Sequence, residues 1–203
     1  MLQSVNLRGF LVITIVAISA RGIADWTIDF PSAYTLRSGE VRLEYREVSG
    51  KSRDEWILNC GILPFFEIRI KSSDAQQVDF QYSITQPYPE VAPGIAIGIF
   101  DAFDKGETGR SIYVATTFQF NVVADWSKRE RGNLTIGIGT GELRKGAFVG
   151  VSMPIFPRTI LLAEIFKKHQ TIGLDLELTK GVGIRAMVRD GIPSFSIQFR
   201  RLY

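Results

Sequence analysis

Apolar and polar residues exchange places at every second position along most of this chain. The pattern is sharpest between Thr159 and Tyr203, which reads as four consecutive strands. Ile172, Leu174, Leu176 and Leu178 alternate with Gly173, Asp175 and Glu177. Ile184, Ala186 and Val188 alternate with Arg185, Met187 and Arg189. Phe195, Ile197, Phe199 and Tyr203 share one parity, opposite Ser194, Ser196, Gln198 and Arg200. A period of two belongs to β-strands with one apolar face and one wet face.

The same alternation recurs upstream, for about twelve strands in all. Val41, Leu43 and Tyr45 alternate with Arg42, Glu44 and Arg46. Trp56, Leu58, Cys60 and Ile62 form the next apolar set, ended by Pro64. Phe66, Ile68 and Ile70 oppose Glu67, Arg69 and Lys71, and Val78, Phe80, Tyr82 and Ile84 oppose Asp79, Gln81, Ser83 and Thr85. Beyond a turn marked by Pro87, Pro89 and Pro93, the isoleucines 95, 97 and 99 alternate with Gly94, Ala96 and Gly98. Then come Ile112–Val122, Leu134–Ile138 and Ala147–Met153, the last with Phe148, Gly150 and Ser152 on its other face. Pro154 and Pro157 interrupt the pattern before Thr159, and only Glu164–Gln170 admits a turn of helix.

Many short alternating strands build either a soluble barrel or sandwich with its apolar face inside, or a membrane barrel with that face toward lipid. The polar face here carries ions of both signs (Arg42, Glu44, Arg46, Glu67, Arg69, Asp175, Arg185) interleaved with glycines, which suits a narrow filled lumen. The apolar face is Ile, Leu, Val and Phe with few breaks. The last strand carries alternating aromatics and closes on Tyr203; Arg201 breaks that face at a rim, where it can snorkel. The expected fold is all-β: a closed antiparallel transmembrane β-barrel of about 12 short strands, within a range of roughly 10–14. Segments such as Leu134–Ile138 fall short of the ~9–11 residues a spanning strand needs.

The N-terminus reads as an export signal. Arg8 precedes an apolar run from Gly9 to Ala20, and Gly22-Ile23-Ala24 places small residues where a signal peptidase reads. Arg21 cuts the run short of the ~18 apolar residues of a membrane-anchoring helix. The expected organisation is a signal peptide at 1–24, a lead-in carrying Pro31 at 25–39 and one barrel at 40–203. Cleavage removes two arginines and no acid, lowering the formal charge from +3 to +1. With acids and bases interspersed, nothing points to nucleic acid.

Chemistry-bearing motifs are sparse. Cys60 is the single cysteine and cannot form an internal disulfide; it falls among apolar neighbours in a strand. His169 is the single histidine, in the loop-like run Lys167-Lys168-His169-Gln170, with no Gly-x-Ser-x-Gly to supply a nucleophile. One histidine and one cysteine do not make a zinc site. Asp101, Asp104 and Glu107 read as a solvated acidic loop before they read as a calcium site. No catalytic, cofactor or metal residues are assigned. The expected lumen charge network is Glu164, Asp175 and Glu177 with Arg185, Arg189 and Arg200, the anions pairing with arginines on adjacent strands because an unpartnered buried ion is costly.

The lead-in Pro31–Leu36, ending at Gly39-Glu40, looks like the opening of small bacterial outer-membrane β-barrels. The segments Pro93–Asp101, Tyr113-Val114-Ala115-Thr116, Gly137-Ile138-Gly139, Gly146–Val151 and Leu161-Leu162-Ala163-Glu164 resemble the YjbH-like group. Ile165 stands where that group usually has tyrosine, and this chain is far shorter than its large members. The resemblance implies an outer-membrane barrel, and a structural or accessory part in exopolysaccharide production or export. It implies as partners outer-membrane lipid and envelope polysaccharide-export proteins. Two rival readings stand beside it: a soluble periplasmic β-barrel binding a small apolar ligand, and an outer-membrane lipid-acting enzyme using His169.

Overall fold

A computed structural model describes residues 27–49, 54–73, 75–106, 109–124, 127–141 and 145–203. The expected signal peptide, Met1–Ala24, lies outside them. The described chain forms twelve strands: β1 (Glu40–Val48), β2 (Glu55–Leu63), β3 (Phe66–Ser72), β4 (Gln76–Thr85), β5 (Gly94–Phe100), β6 (Ser111–Ala124), β7 (Ser127–Gly139), β8 (Gly146–Phe156), β9 (Thr159–Phe166), β10 (His169–Thr179), β11 (Val182–Arg189) and β12 (Ile192–Leu202). Each pairs antiparallel with its neighbours in sequence, and β1 pairs with β12 from Glu40↔Leu202 to Val48↔Ser194, closing the barrel. Closure leaves no edge of unpaired backbone, which a strand in hydrocarbon requires.

Which face turns inward follows from the alternation. Glu44, Arg46, Glu67, Arg69, Asp79, Glu164 and Arg185 point into the barrel and are each no more than 4% exposed. On the other parity Ile138, Ile172 and Phe195 are each about 60% exposed. A soluble barrel would bury the isoleucines and hydrate the ions. The observed inversion suits a lipid surround, so this is a transmembrane β-barrel of the kind found in outer membranes, with a polar interior. Cys60 lies on the outer parity, paired across strands with Val41 and Ile68.

Some local expectations fail, each for an identifiable reason. Strands run from 7 residues in β3 and β5 to 14 in β6. The segment expected at Leu134–Ile138 belongs to a 13-residue strand, because Arg131–Asn133 continue the β6 ladder without alternating apolar residues. Pro154 sits inside β8, next to a register shift between Pro154 and Phe156, where a missing N–H is tolerated. The turn of helix expected at Glu164–Gln170 is absent. β9 and β10 are joined instead by Lys167-Lys168, with Lys167 at positive φ.

The barrel has two distinct ends. The terminal end holds the start of β1, the end of β12, and tight turns at Pro64-Phe65, Pro157-Arg158 and Lys180-Gly181. The far end holds the connections after β1, β3, β5, β7, β9 and β11.

Candidate functional site

The lead-in does not trail outside the barrel; Thr27–Gly39 lies in the lumen. It starts from the terminal end, where Gly39 N–H donates to the Gly61 carbonyl at 2.8 Å and the Gly39 carbonyl accepts from Tyr203 N–H at 2.9 Å. Gly61 is needed there: a Cβ would stand 2.1 Å from the Arg37 carbonyl oxygen. Ascending the lumen, Leu36 N–H donates to Glu67 at 2.8 Å and Ala33 N–H to Thr117 Oγ1 at 2.8 Å. Gln81 Nε2 donates to the carbonyls of Ser32 and Tyr34, and Ser83 Oγ to that of Ala33. A buried non-strand segment must find partners for its backbone, and here the wall side chains supply them.

Two features hold the leading end of this segment. The first is Glu164 on β9. Its carboxylate accepts N–H groups from Ile28 (2.6 Å), Asp29 (3.0 and 3.1 Å) and Phe30 (3.0 Å), binding the turn that Thr27 N–H closes on the Phe30 carbonyl. The second is the Asp29 carboxylate. Arg46 Nη1 stands 3.1 Å and Arg69 Nη2 3.7 Å from its Oδ1, while Arg189 contacts its Oδ2. Arg69 Nη1 also donates to the Asp29 carbonyl at 3.3 Å.

Apolar contacts complete the seat. The Phe30 ring stacks on Phe148 (centroids 4.7 Å apart, planes 17° apart) and meets Phe100 and Phe166 at 6.4 and 5.3 Å. Ile28 packs into a second buried cluster with Leu162 and Met187. Phe148 lies across Gly137, its cross-strand partner, where a Cβ would come within 2.1 Å of the ring. Such rings each bury a large area and give the segment a strong preference for one depth.

The wall is electrically two-sided. β5, β6 and β8 contain no charged residue. They present Tyr113, Thr117, Gln119 and Ser152 to the interior. The opposite wall carries a chain of buried ions. Arg46 bonds Glu44 at 2.9 Å and approaches Glu55 at 3.5 Å, and Lys71 bonds Glu55 at 3.1 Å.

Of the six residues expected to pair with one another, only Asp175 and Arg185 do so, at 2.7 Å; Arg185 also faces Glu44 at 3.8 Å. Arg189 takes Asp29 and donates to Thr171 Oγ1. Arg200 takes Glu40. Glu164 binds backbone. Glu177 is half-buried near the terminal end and has no ion pair among the described residues. Those partners differ because closure sets β1 beside β12, and because the lead-in brings a carboxylate into the lumen. Neither contact is local in sequence.

His169 opens β10 at the far end. Its Nδ1 lies 2.6 Å from Asp190 Oδ2, and both side chains are exposed. The Gln170 backbone N–H, then the His169 side chain, hold the Asp190 carboxyl below the usual carboxylate range. The carboxylates of Asp101 and Asp104 accept backbone N–H groups of Lys105, Gly106 and Arg110, so they organise their loop. Glu107 lies outside the described residues.

No protein-family model matches this chain, and no curated protein does. Solved structures do. A KdgM porin has 10% identity and a TM-score of 0.51, the match covering 81% of this chain and 99% of the porin. A KdgM porin in complex with disordered oligogalacturonate has 11% identity and a TM-score of 0.51, with the same coverage. At such identity the likeness is one of fold.

Proposed function

We propose that this chain is a non-enzymatic outer-membrane barrel, closed at rest by its own N-terminal segment, with an accessory part in exopolysaccharide production or export. One observation carries the closed state: Thr27–Gly39 occupies the lumen, with its backbone bonded to side chains around the wall. A barrel of twelve strands is already narrower than the 16–18-stranded porins that leave an aqueous channel. Filling it with a hydrogen-bonded segment removes the remaining path. The exopolysaccharide role follows the YjbH-like resemblance of Pro93–Asp101, Gly146–Val151 and Leu161–Glu164, and partners in the envelope export machinery go with it.

The test has two parts. Purified barrel in planar bilayers should show no steady conductance, and a variant lacking residues 27–36 should conduct. A large steady current from the intact chain would overturn the closed state. Loss of the gene should lower surface exopolysaccharide in the source bacterium; unchanged polymer would remove that role.

A second reading is a channel for acidic oligosaccharides that opens when the lead-in withdraws. It is favoured by the porin-like fold, by the oligogalacturonate in one neighbour's structure, and by a lumen whose basic side chains Arg42, Arg46, Arg69 and Arg185 line one wall.

A further inference from the structure

We infer that Arg46, Arg69 and Arg189 form a carboxylate-binding site in the far half of the lumen, that Asp29 fills it as an internal ligand, and that small organic carboxylates from the far side compete with Asp29 and release the lead-in. This deepens the closed-barrel reading and rests on it.

Three guanidinium groups from β1, β3 and β11, strands of one continuous arc of the wall, converge on one carboxylate. Asp29 Oδ1 is shared by Arg46 at 3.1 Å and Arg69 at 3.7 Å, and Oδ2 faces Arg189. Guanidinium forks match carboxylates in geometry as well as in charge. Wall acids share Arg46: Glu44 bonds its Nε and Nη2, while Nη1 goes to Asp29 at 3.1 Å and, more distantly, to Glu55 at 3.5 Å. The carboxylate at the convergence point belongs to a segment outside the strands, whereas the arginines belong to the closed sheet.

The exposure of the partners gives the route of competition. The Asp29 side chain is 12% exposed and those of Arg46 and Arg69 are 3% and 5%, but that of Arg189 is 44% exposed. Arg189 ends β11 at the far mouth, so an incoming carboxylate meets it first. Taking Arg189 from Asp29 weakens the inner contacts in turn. The site then holds a free carboxylate in place of a tethered one, and the leading end of the segment keeps its Glu164 and apolar contacts while Ala33 and Leu36 stay bonded to Thr117 and Glu67 nearer the terminal end.

The test uses the mature barrel in planar bilayers, with sodium glucuronate, glucose at equal concentration, and sodium chloride at equal ionic strength, each added to the far side. Glucuronate should raise the open fraction of the wild type several-fold, and glucose and chloride should not. Asp29→Asn should be on the order of tenfold more open without any addition, and should gain little from glucuronate. Asp29→Glu, which keeps a carboxylate, should remain closed and glucuronate-sensitive. Equal opening by chloride would show charge screening, not a carboxylate site, and would overturn the inference. So would an inert glucuronate on a wild type whose 27–36 deletion conducts. If that deletion does not conduct, the closed-barrel reading itself fails. Should Asp29→Asn not fold, the wild-type response to the three solutes decides.

Discussion

Replacing Glu164 by alanine separates the docking of the lead-in from the stability of the barrel. Glu164 is buried, and its carboxylate accepts three consecutive backbone N–H groups, from Ile28, Asp29 and Phe30, at 2.6–3.1 Å. A hydrogen bond to a charged group contributes about 1.5–3 kcal/mol. The three share one carboxylate whose own burial opposes them, so they do not add, and a net loss of about 3 kcal/mol is the reasonable figure. That shifts the ratio of docked to undocked lead-in by roughly 100-fold, at about 1.4 kcal/mol per factor of ten. Glutamine keeps one acceptor oxygen and should cost about half as much, roughly tenfold. The wall ladder does not depend on this side chain: β9 keeps its backbone pairing to β8 and β10. Single-channel recording should therefore show open fractions rising in the order wild type, Glu164→Gln, Glu164→Ala, with heat-modifiable folding retained in all three. Both variants folded and as silent as the wild type would refute the reasoning, because the lead-in would then be held by something other than Glu164.

Leu174, on the outer face, should cost about 2–4 kcal/mol when changed to arginine if it faces the bilayer midplane; an unchanged unfolding midpoint in lipid would contradict the placement. Asp175→Leu takes from Arg185, 2% exposed, its 2.7 Å partner and leaves the longer contact to Glu44 at 3.8 Å. A loss of about 3 kcal/mol in urea titration is expected, against no loss if the pair were solvated. Arg158 holds a φ of 63° in the Pro157-Arg158 turn, so Arg158→Gly should stabilise by about 0.5–1 kcal/mol, and a lowered midpoint would count against that strain. The Asp190 carboxyl is held below its ordinary value by Gln170 N–H and His169. Its contribution to the far-end turn is thus fully present above the ordinary pKa of about 3.9 and lost as pH falls through the lower folded value. Carboxyl-carbon NMR titration in micelles should show that lowered midpoint, and an ordinary midpoint would dissolve the His169–Asp190 contact.

The period of two along the chain determined most of the architecture. It set the strand count, the antiparallel order and the assignment of Glu44, Arg46, Arg69, Asp175 and Arg185 to the interior, because a strand's side-chain direction is a local property. Sequence also marked the seat of the lead-in, in a form hard to read. Phe148, Leu162, Phe166 and Met187 are apolar residues on the polar parity, breaks in the rule that become the cradle of Phe30 and Ile28. What only the tertiary structure decided is which partners these positions meet. Closure joins β1 to β12 and gives Arg200 to Glu40, which lie 160 residues apart. Threading the lead-in back through the lumen gives Asp29 to Arg189, and the Ile28–Phe30 backbone to Glu164. Those contacts depend on the diameter of the closed sheet and on the depth at which the segment comes to rest. No neighbouring residue carries that information, so local pattern identifies which side chains turn inward, and the three-dimensional closure chooses what each of them holds.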